Sequence, residues 1–416
     1  MDSVGDILRA QGLIEQEPRQ WPLWKGPESS DEQGGITFSL LSRFLVCRER
    51  FRLLVVEGLK PNEGWNFKLG YGNMWHTCEE ALAAGCSWES ALANYARTEA
   101  AKYKYNQDVI NHWYSVCLVQ FPIYIDYWQH HTDETMRKPL LEEQPFNIGY
   151  TLPSGRVVYL RGKWDSVDWL PAHREGITDY SAGVWLKEIK SKGDIKEQQM
   201  MRQLKYDMQT LLYLTALKEC PTGAYEGELI GVRYNVVRRP LSGGKGTIVR
   251  SQGTKGSKCS KCKGAGVVTR KVYRDEVECD KCLGRCRIGA KPEETYEAFY
   301  GRLSDVINEN KPDFFMRWKT AISAEDIATF QRQTLNPILE QLCDWWDWIQ
   351  NCEGDPFSSK SAIVGPPQCG PHWRHPFGVW NSLLEGGATD YDTHLENGSI
   401  IGLEVVDNLF PELQEQ

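Results

Sequence analysis

The stretch that decides the fold is Gly162-Lys-Trp-Asp165 followed, after eighteen residues, by Val184-Trp-Leu-Lys-Glu-Ile-Lys190. The second segment is short, apolar and β-branched, which indicates a strand. Residues two apart on a strand project to the same face, so Glu188 and Lys190 are expected to point together. If the strand that carries Asp165 is adjacent, the carboxylates of Asp165 and Glu188 meet at one point.

The segments around this stretch predict a mixed sheet flanked by helices. Residues 145–170 alternate apolar and polar positions around Pro153-Ser154-Gly155, which is typical of a hairpin. Helical periodicity and apolar runs indicate the remaining elements. We expect helices over 39–58, 74–101, 107–130, 195–218 and 324–350, strands over 184–190, 229–237 and 312–321, and a loop over 58–72. This order of helices and strands indicates an α/β fold.

The two carboxylates and the lysine suggest a metal-dependent reaction on phosphate. Hard oxygen ligands suit Mg²⁺ or Mn²⁺, which keep waters and accept phosphate oxygens. A bound metal lowers the pKa of water and neutralises developing negative charge, and a neighbouring lysine stabilises that charge further. An isolated Glu-x-Lys is more often an exposed ion pair, so the interpretation depends on its neighbours.

Those neighbours form an ordered series of short motifs. The series is Ser39 with Cys47-Arg-Glu-Arg-Phe51, Gly72-x3-His76-x3-Glu80, Gly162-x2-Asp165, Glu188-x-Lys190 and Gln209-x3-Tyr213. In this order the motifs resemble those of the RecB-like branch of the PD-(D/E)xK nuclease superfamily, over about residues 36–237. The region from Pro292 onward is similar, more loosely, to phage-encoded members. The resemblance implies a restriction-endonuclease-like core and a metal-dependent DNA nuclease, often an exonuclease, that acts in recombination, replication or repair.

The resemblance also assigns roles to individual residues. It implies that His76, Asp165 and Glu188 bind Mg²⁺ or Mn²⁺ and that Lys190 is the catalytic lysine. Gln209 and Tyr213 are expected to support the site and to contact DNA. The family pattern has a proline before the aspartate, where this chain has Trp164. For His76 the alternative is a core histidine at the start of a helix.

A second metal site is predicted by four cysteines. Cys259-Ser-Lys-Cys262 and Cys279-Asp-Lys-Cys282 are sixteen residues apart, a spacing typical of tetrahedral structural zinc. Each pair runs into glycine and resembles the units of the DnaJ zinc domain, in which glycine permits the positive φ that a sharp turn needs. Cys286 is a spare that could replace Cys282. A redox role for the pairs requires a thioredoxin-like context that this sequence lacks.

Charge is concentrated next to the cysteines. The chain has a formal net charge of −8, yet residues 233–274 contain twelve lysines and arginines and no acidic residue. This basic segment suits a phosphate backbone, with contacts that determine affinity and not sequence. The expected contacts are Lys255, Lys258, Lys261, Lys263, Arg270 and Lys271. The alternatives are a solvated basic loop or a docking site for a replication or recombination protein.

An iron–sulfur cluster is a further possibility that the resemblance raises. Cys47 occupies the position of the first cluster ligand, and Cys343, Cys352 and Cys369 are the C-terminal candidates. These three lack the tight spacing of such sites, so buried free thiols are the default expectation.

The sequence therefore predicts four regions. They are a flexible arm over 1–35, the nuclease core over 36–237, a basic four-cysteine zinc insertion over 238–290, and a helical C-terminal region over 291–416 that completes the core. No apolar run is long enough for a membrane span and no export signal is evident, so we expect a cytoplasmic location. The substrate is expected to be single- or double-stranded DNA. A non-catalytic DNA-binding or assembly factor and an RNA nuclease remain as alternatives.

Overall fold

A computed structural model describes most of the chain. The described residues are 22–46, 48–61, 64–220, 227–241, 247–253, 256–263, 265, 267–269, 276–283, 285–288, 292–351, 403–406 and 408–413.

The centre of the fold is a five-stranded mixed sheet, as the sequence predicts. Its order is β12-β7-β6-β3-β2, with β6 and β7 parallel and all other neighbours antiparallel. Its strands are β2 (Lys138–Thr151), β3 (Val157–Leu170), β6 (Gly183–Lys192), β7 (Leu229–Arg238) and β12 (Phe315–Ala321). The short strands are β1 (Leu59–Pro61), β4 (His173–Glu175), β5 (Thr178–Tyr180), β8 (Ser257–Lys258), β9 (Val267–Thr269), β10 (Glu276–Glu278), β11 (Arg287–Ile288) and β13 (Leu403–Val405).

Helices cover both faces of the sheet. The α-helices of five or more residues in the described chain are α1 (Phe38–Val46), α2 (Phe67–Ala83), α3 (Trp88–Lys102), α4 (Gln107–Trp128), α5 (Thr132–Met136), α6 (Glu197–Lys205), α7 (Met208–Lys218), α8 (Tyr296–Glu309), α9 (Ala324–Phe330) and α10 (Asn336–Asn351). Helices α1, α6, α7, α9 and α10 pack into one hydrophobic core, and α2, α3, α4 and α8 pack into another. Strand β7 contributes side chains to both cores, because Val232 and Tyr234 lie in the first core and Val237 lies in the second.

The predicted hairpin is confirmed and is longer than expected on its first strand. Strands β2 and β3 pair from Lys138↔Trp169 to Thr151↔Val157. The turn has Gly155 at φ 88°, a conformation that favours glycine, and the Gly155 N–H donates to the Leu152 carbonyl at 2.9 Å.

The helix that carries His76 begins earlier than predicted. The expected loop over 58–72 is wrong from Phe67 onward, where α2 starts, capped by the Asn66 side chain. The glycines in this stretch suggest a loop, but Gly70 has a packing role. A Cβ at Gly70 would lie 2.1 Å from the Trp65 ring, so only glycine lets that ring pack against the helix.

The predicted helix over 195–218 is two helices. Helix α6 ends at Lys205, and Asp207 caps the start of α7 by accepting from the Gln209 N–H at 3.0 Å. The break gives α7 its own direction and brings Gln209 into the first turn of a helix that packs on the sheet.

The N-terminal segment differs from the predicted flexible arm in its described part. Trp24 is fully buried, with its ring 5.2 Å from Phe51 and 4.9 Å from Trp346, measured between ring centroids. Its indole N–H donates to the Gly35 carbonyl at 2.9 Å. The two tryptophans bury a large apolar area together, which orders residues 22–35 despite their polar composition. Residues 1–21 lie outside the described part.

The segment after residue 291 contributes to the main core. Strand β12 pairs with β7 from Phe315↔Val237 to Ala321↔Gly231. Trp345 and Trp346 of α10 are buried, so they serve packing. In the described part of the chain, every helix is too short or too polar to cross a bilayer.

Candidate metal-binding active site

The site lies where β3 and β6 separate. The two strands pair as far as Ser166↔Lys187; beyond this pair β6 continues with β7, and β3 continues with β2 and meets Ile36 at Leu160. Asp165 and Glu188 are the next residues on the two strands. The Ile189 N–H donates to Asp165 Oδ2 at 2.7 Å. A carboxylate oxygen therefore accepts from a backbone N–H that the separating strand β3 no longer pairs with. The expected adjacency of the two strands is confirmed.

Lys190 and Gln209 hold one oxygen of Glu188. Lys190 Nζ donates to Glu188 Oε1 at 2.8 Å and to Gln209 Oε1 at 2.7 Å, and Gln209 Nε2 donates to Glu188 Oε1 at 3.0 Å. Burial lowers the pKa of Lys190, but Glu188 and Asp207 outweigh it and raise the pKa overall. The lysine is therefore a fixed cation beside the carboxylate.

The other oxygen of Glu188 is buried without a hydrogen bond. The side chain is 3% exposed, and Oε2 has no partner among the described residues. Burial raises the pKa of Glu188 to about 7; Lys190 opposes this shift and the charge of Asp165 adds to it. An unpaired buried oxygen costs about 1–3 kcal/mol. A divalent cation would remove this cost, so the donor set fits Mg²⁺ or Mn²⁺.

Helix α2 brings His76 to Asp165. His76 Nδ1 lies 3.6 Å from Asp165 Oδ1, and the imidazole is 37% exposed. One turn later on the same helix face, Glu80 Oε1 accepts from Lys163 Nζ at 2.8 Å. The histidine therefore faces the carboxylate and solvent and is not a core residue, as the ligand interpretation requires.

The sequence interpretation did not identify Glu143 of β2. One ligand atom from each of His76, Glu143 and Asp165 lies within 4.8 Å of the others. Glu143 has φ 47°, which is uncommon for a residue other than glycine. Burial and the charge of Asp165 raise its pKa to about 8, against the effect of Lys163. The predicted hairpin over 145–170 begins after Glu143, so the sequence predicted neither its strand nor the register that makes it a neighbour of Asp165.

Tyr213 packs one turn beyond Gln209. Its ring centroid is 5.4 Å from that of Phe146, and its carbonyl accepts from the Trp164 indole N–H at 3.2 Å. A Cβ at Gly162 would lie 2.7 Å from the Phe146 ring and 2.9 Å from the Tyr213 ring. Gly162 therefore allows α7 to approach the hairpin closely, and Tyr213 contributes to this packing.

The four predicted cysteines form a buried cluster. The Sγ atoms of Cys259 and Cys279 are 3.8 Å apart, and those of Cys262 and Cys282 are 3.6 Å apart. Tetrahedral zinc with bonds near 2.3 Å separates its sulfur ligands by about 3.8 Å, so the cluster fits zinc. Cys282 is the fourth member, and Cys286 uses its carbonyl to accept from the Cys259 N–H at 3.0 Å.

The two cysteine turns have the same geometry in their described residues. Lys263 and Leu283, directly after the second cysteine of each pair, have φ 53° and φ 49°. The Ala265 N–H donates to the Cys262 carbonyl at 2.9 Å, and its counterpart in the second turn is equivalent. Each turn therefore has a left-handed residue directly after its second cysteine, a lysine in one and a leucine in the other; the predicted role of Gly264 and Gly284 falls on residues outside the described part.

Not all of the basic segment is available to a phosphate backbone. Arg233 is fully buried next to Asp168, and Lys261 pairs with Asp280 at 2.6 Å. Lys258 and Lys263 are exposed. Lys255, Arg270 and Lys271 lie outside the described residues.

The iron–sulfur alternative concerns residues that are mostly outside the described part. Cys47, Cys352 and Cys369 are not described, and Cys343 is buried in the main hydrophobic core.

The family model of the PD-(D/E)XK nuclease superfamily matches residues 36–352. The matched range includes the four cysteines and the site formed by His76, Glu143, Asp165 and Glu188, which we call the oxygen-lined site. No curated protein gives a significant match to the chain.

Proposed function

The chain belongs to the PD-(D/E)XK nuclease superfamily, and on this premise we propose that it is a Mg²⁺- or Mn²⁺-dependent deoxyribonuclease with Asp165, Glu188 and Lys190 at its active site. The observation that carries the proposal is the pair of carboxylates at the point where β3 and β6 separate. Lys190 is hydrogen-bonded to one of them, and Oε2 of that same Glu188 is buried with no partner among the described residues.

Each side chain has a distinct role in this proposal. Asp165, Glu188 and His76 hold the ion, which supplies a water of lowered pKa and neutralises charge on the phosphate. Lys190, kept cationic by Glu188, stabilises the negative charge that develops as the phosphodiester bond breaks. Gln209 fixes the directions of both Lys190 and Glu188, because its amide donates to one and accepts from the other.

The finer parts of the proposal rest on the motif order. The RecB-like motifs support an exonuclease, encoded by a phage, that acts in recombination, replication or repair in the host cytoplasm. In the proposal, the four-cysteine module around Cys259–Cys282 holds structural zinc and binds DNA through the exposed Lys258 and Lys263. A protein partner that docks on this module is the alternative use of the same surface.

The test is cleavage of end-labelled single-stranded DNA, double-stranded DNA and RNA with Mg²⁺, Mn²⁺ or EDTA. The informative variant is Asp165→Asn, because an amide oxygen can still accept from the Ile189 N–H. Asp179→Asn is the matched control, since Asp179 is an exposed residue of β5. We expect metal-dependent degradation of DNA by the wild type and the control, and none by Asp165→Asn.

The outcomes separate the alternatives. The product ladder identifies the mode and polarity of cleavage. Cleavage of RNA alone would reassign the substrate. Retention of DNA in a gel shift without cleavage under any metal would favour the non-catalytic binding factor.

A further inference from the structure

The hairpin that carries Asp165 changes its packing face at the active site. On β3, Val167 and Trp164 both lie in the main core although they are three residues apart, where regular alternation requires an even spacing. Asp165 lies between them. On β2 the flanking pairs are Glu142↔Ser166 and Gln144↔Trp164, so Glu143 is opposite Asp165.

This arrangement has two energetic costs in the absence of a cation. Like charges directly across an antiparallel pair are destabilising. A residue other than glycine at φ 47° costs about 1–3 kcal/mol. The compensation by protein groups is small, since Lys163 Nζ is shared between Glu143 Oε2 at 3.0 Å and Glu80 Oε1 at 2.8 Å.

An independent observation indicates that a ligand belongs here. Glu188 is 97% buried with an unpartnered Oε2 among the described residues, and Glu188 and Asp165 are the first residues beyond the last β3–β6 pair. This oxygen is not part of the His76, Glu143 and Asp165 group, and no described residue donates a hydrogen bond to it. A carboxylate oxygen left unpaired at the separating strands is the kind of ligand that a divalent cation binds.

We propose that Glu143 is a ligand of the catalytic metal centre, together with His76 and Asp165. The inference rests on the proposed function and adds to it, because the motif series contains no residue of β2. The ligand atoms of the three residues lie within 4.8 Å of one another, close to the separation of about 4.2 Å that opposite ligands of one ion have at bonds near 2.1 Å.

The test is Mn²⁺ binding to the full, zinc-loaded chain without DNA, measured by calorimetry or by electron paramagnetic resonance of free Mn²⁺. Glu143→Gln keeps the size of the side chain and removes its charge. We expect its Kd for Mn²⁺ to rise at least about 10-fold, the lower limit for loss of a group that supports a metal. Glu142→Gln is the matched control, because Glu142 is the adjacent carboxylate and pairs with Arg137; we expect wild-type binding.

Thermal unfolding distinguishes a ligand from a structural residue. Without Mn²⁺, Glu143→Gln should melt at or above the wild-type temperature, because a like charge next to Asp165 is gone. With Mn²⁺ the wild type should gain more than the variant. If Glu143→Gln does not fold, Glu143→Asp replaces it, since aspartate tolerates positive φ and keeps the charge with a shorter reach.

Asp165→Asn separates this inference from the proposed function. Weak Mn²⁺ binding by both Asp165→Asn and Glu143→Gln supports the inference. Weak binding by Asp165→Asn with a wild-type Kd for Glu143→Gln overturns the role of Glu143 and leaves the nuclease intact. A wild type that binds no Mn²⁺ overturns both.

Discussion

The two candidate metal sites of this protein are assembled in opposite ways. The four cysteines come from one short stretch, Cys259 to Cys282, and two similar turns bring their sulfurs together. The oxygen-lined site draws one residue from each of four elements, α2, β2, β3 and β6. These residues are His76, Glu143, Asp165 and Glu188.

The difference follows from the work that each site does. The cysteine cluster is closed, since all four sulfurs are buried and spaced for one ion, which suits a structural role. The oxygen-lined site is open, with a half-exposed histidine and a carboxylate oxygen that no described residue pairs with. A local site stabilises the segment that contains it, whereas a site between distant elements requires the fold to exist first.

The largest expected effect is that of zinc removal on the cysteine module. Structural zinc contributes about 10–16 kcal/mol of apparent binding free energy, which a segment with a core of only four cysteines and Val268 among its described residues cannot replace. We expect zinc chelation or Cys279→Ser to abolish amide protection at Cys259 and Val268. Hydrogen exchange and the zinc content measure this.

A cysteine outside the cluster provides the control for this experiment. Cys86→Ser, at an exposed free cysteine, should retain zinc and protection. Amides of the central sheet should stay protected in every case. If the amides of the module stayed protected without zinc, the folding of the module would not depend on the metal.

The second effect is a loss of catalysis that leaves the folding of the cysteine module unchanged. Lys190→Met should lower kcat about 100- to 1,000-fold, the range for loss of one group that stabilises transition-state charge. Zinc content should not change. Lys192→Met, two residues along the same strand and exposed, is the control. Single-turnover cleavage measures the rate, and a wild-type kcat for Lys190→Met would exclude this lysine from the chemistry.

The third effect is a loss of folding stability in acid, which we expect in the body of the protein that contains Glu134. Burial disfavours the charged form of Glu134, but the charges of Arg233, Arg317, Lys187 and Arg137 outweigh it and lower the pKa of Glu134 to about 2. A lowered pKa contributes stability above the unfolded value, near 4.5, and this stability is lost as the pH falls toward 2. The loss from this group amounts to about 3 kcal/mol.

Urea unfolding at pH 7, 4 and 2.5, followed by near-ultraviolet circular dichroism, measures this loss for the body of the protein. Zinc release needs a separate probe, because thiolates also protonate in acid. Glu134→Gln should flatten the pH dependence. An unfolding free energy that is constant between pH 7 and pH 2.5 in the wild type would contradict the assignment.

The smallest effect is on DNA affinity. Neutralising Lys258 and Lys263 together should lower the slope of log K against log salt by about 0.9 for each phosphate of double-stranded DNA that the protein ceases to neutralise. Lys261→Ala is the matched control, since Asp280 already pairs with that lysine. Fluorescence anisotropy over a salt series gives the slopes. Equal slopes for all variants would favour a protein partner for the module.

Much of this protein was determined by relations between neighbours in the sequence. Alternation along 145–170 identified the hairpin, and the apolar strand around Glu188 and Lys190 gave their common direction. The cysteine spacing sufficed for the cluster. These predictions succeeded because strand periodicity and tight turns depend on residues within a few positions of one another.

Only the tertiary structure decided which distant groups meet. Arg233 reads as part of a basic segment, but its strand places it in the buried layer beside Asp168. Glu143 lies outside the hairpin predicted over 145–170, but the register of β2 on β3 puts it opposite Asp165. The physical reason is that register and packing depend on the summed burial of many residues, and a shift of one position would reverse every side chain.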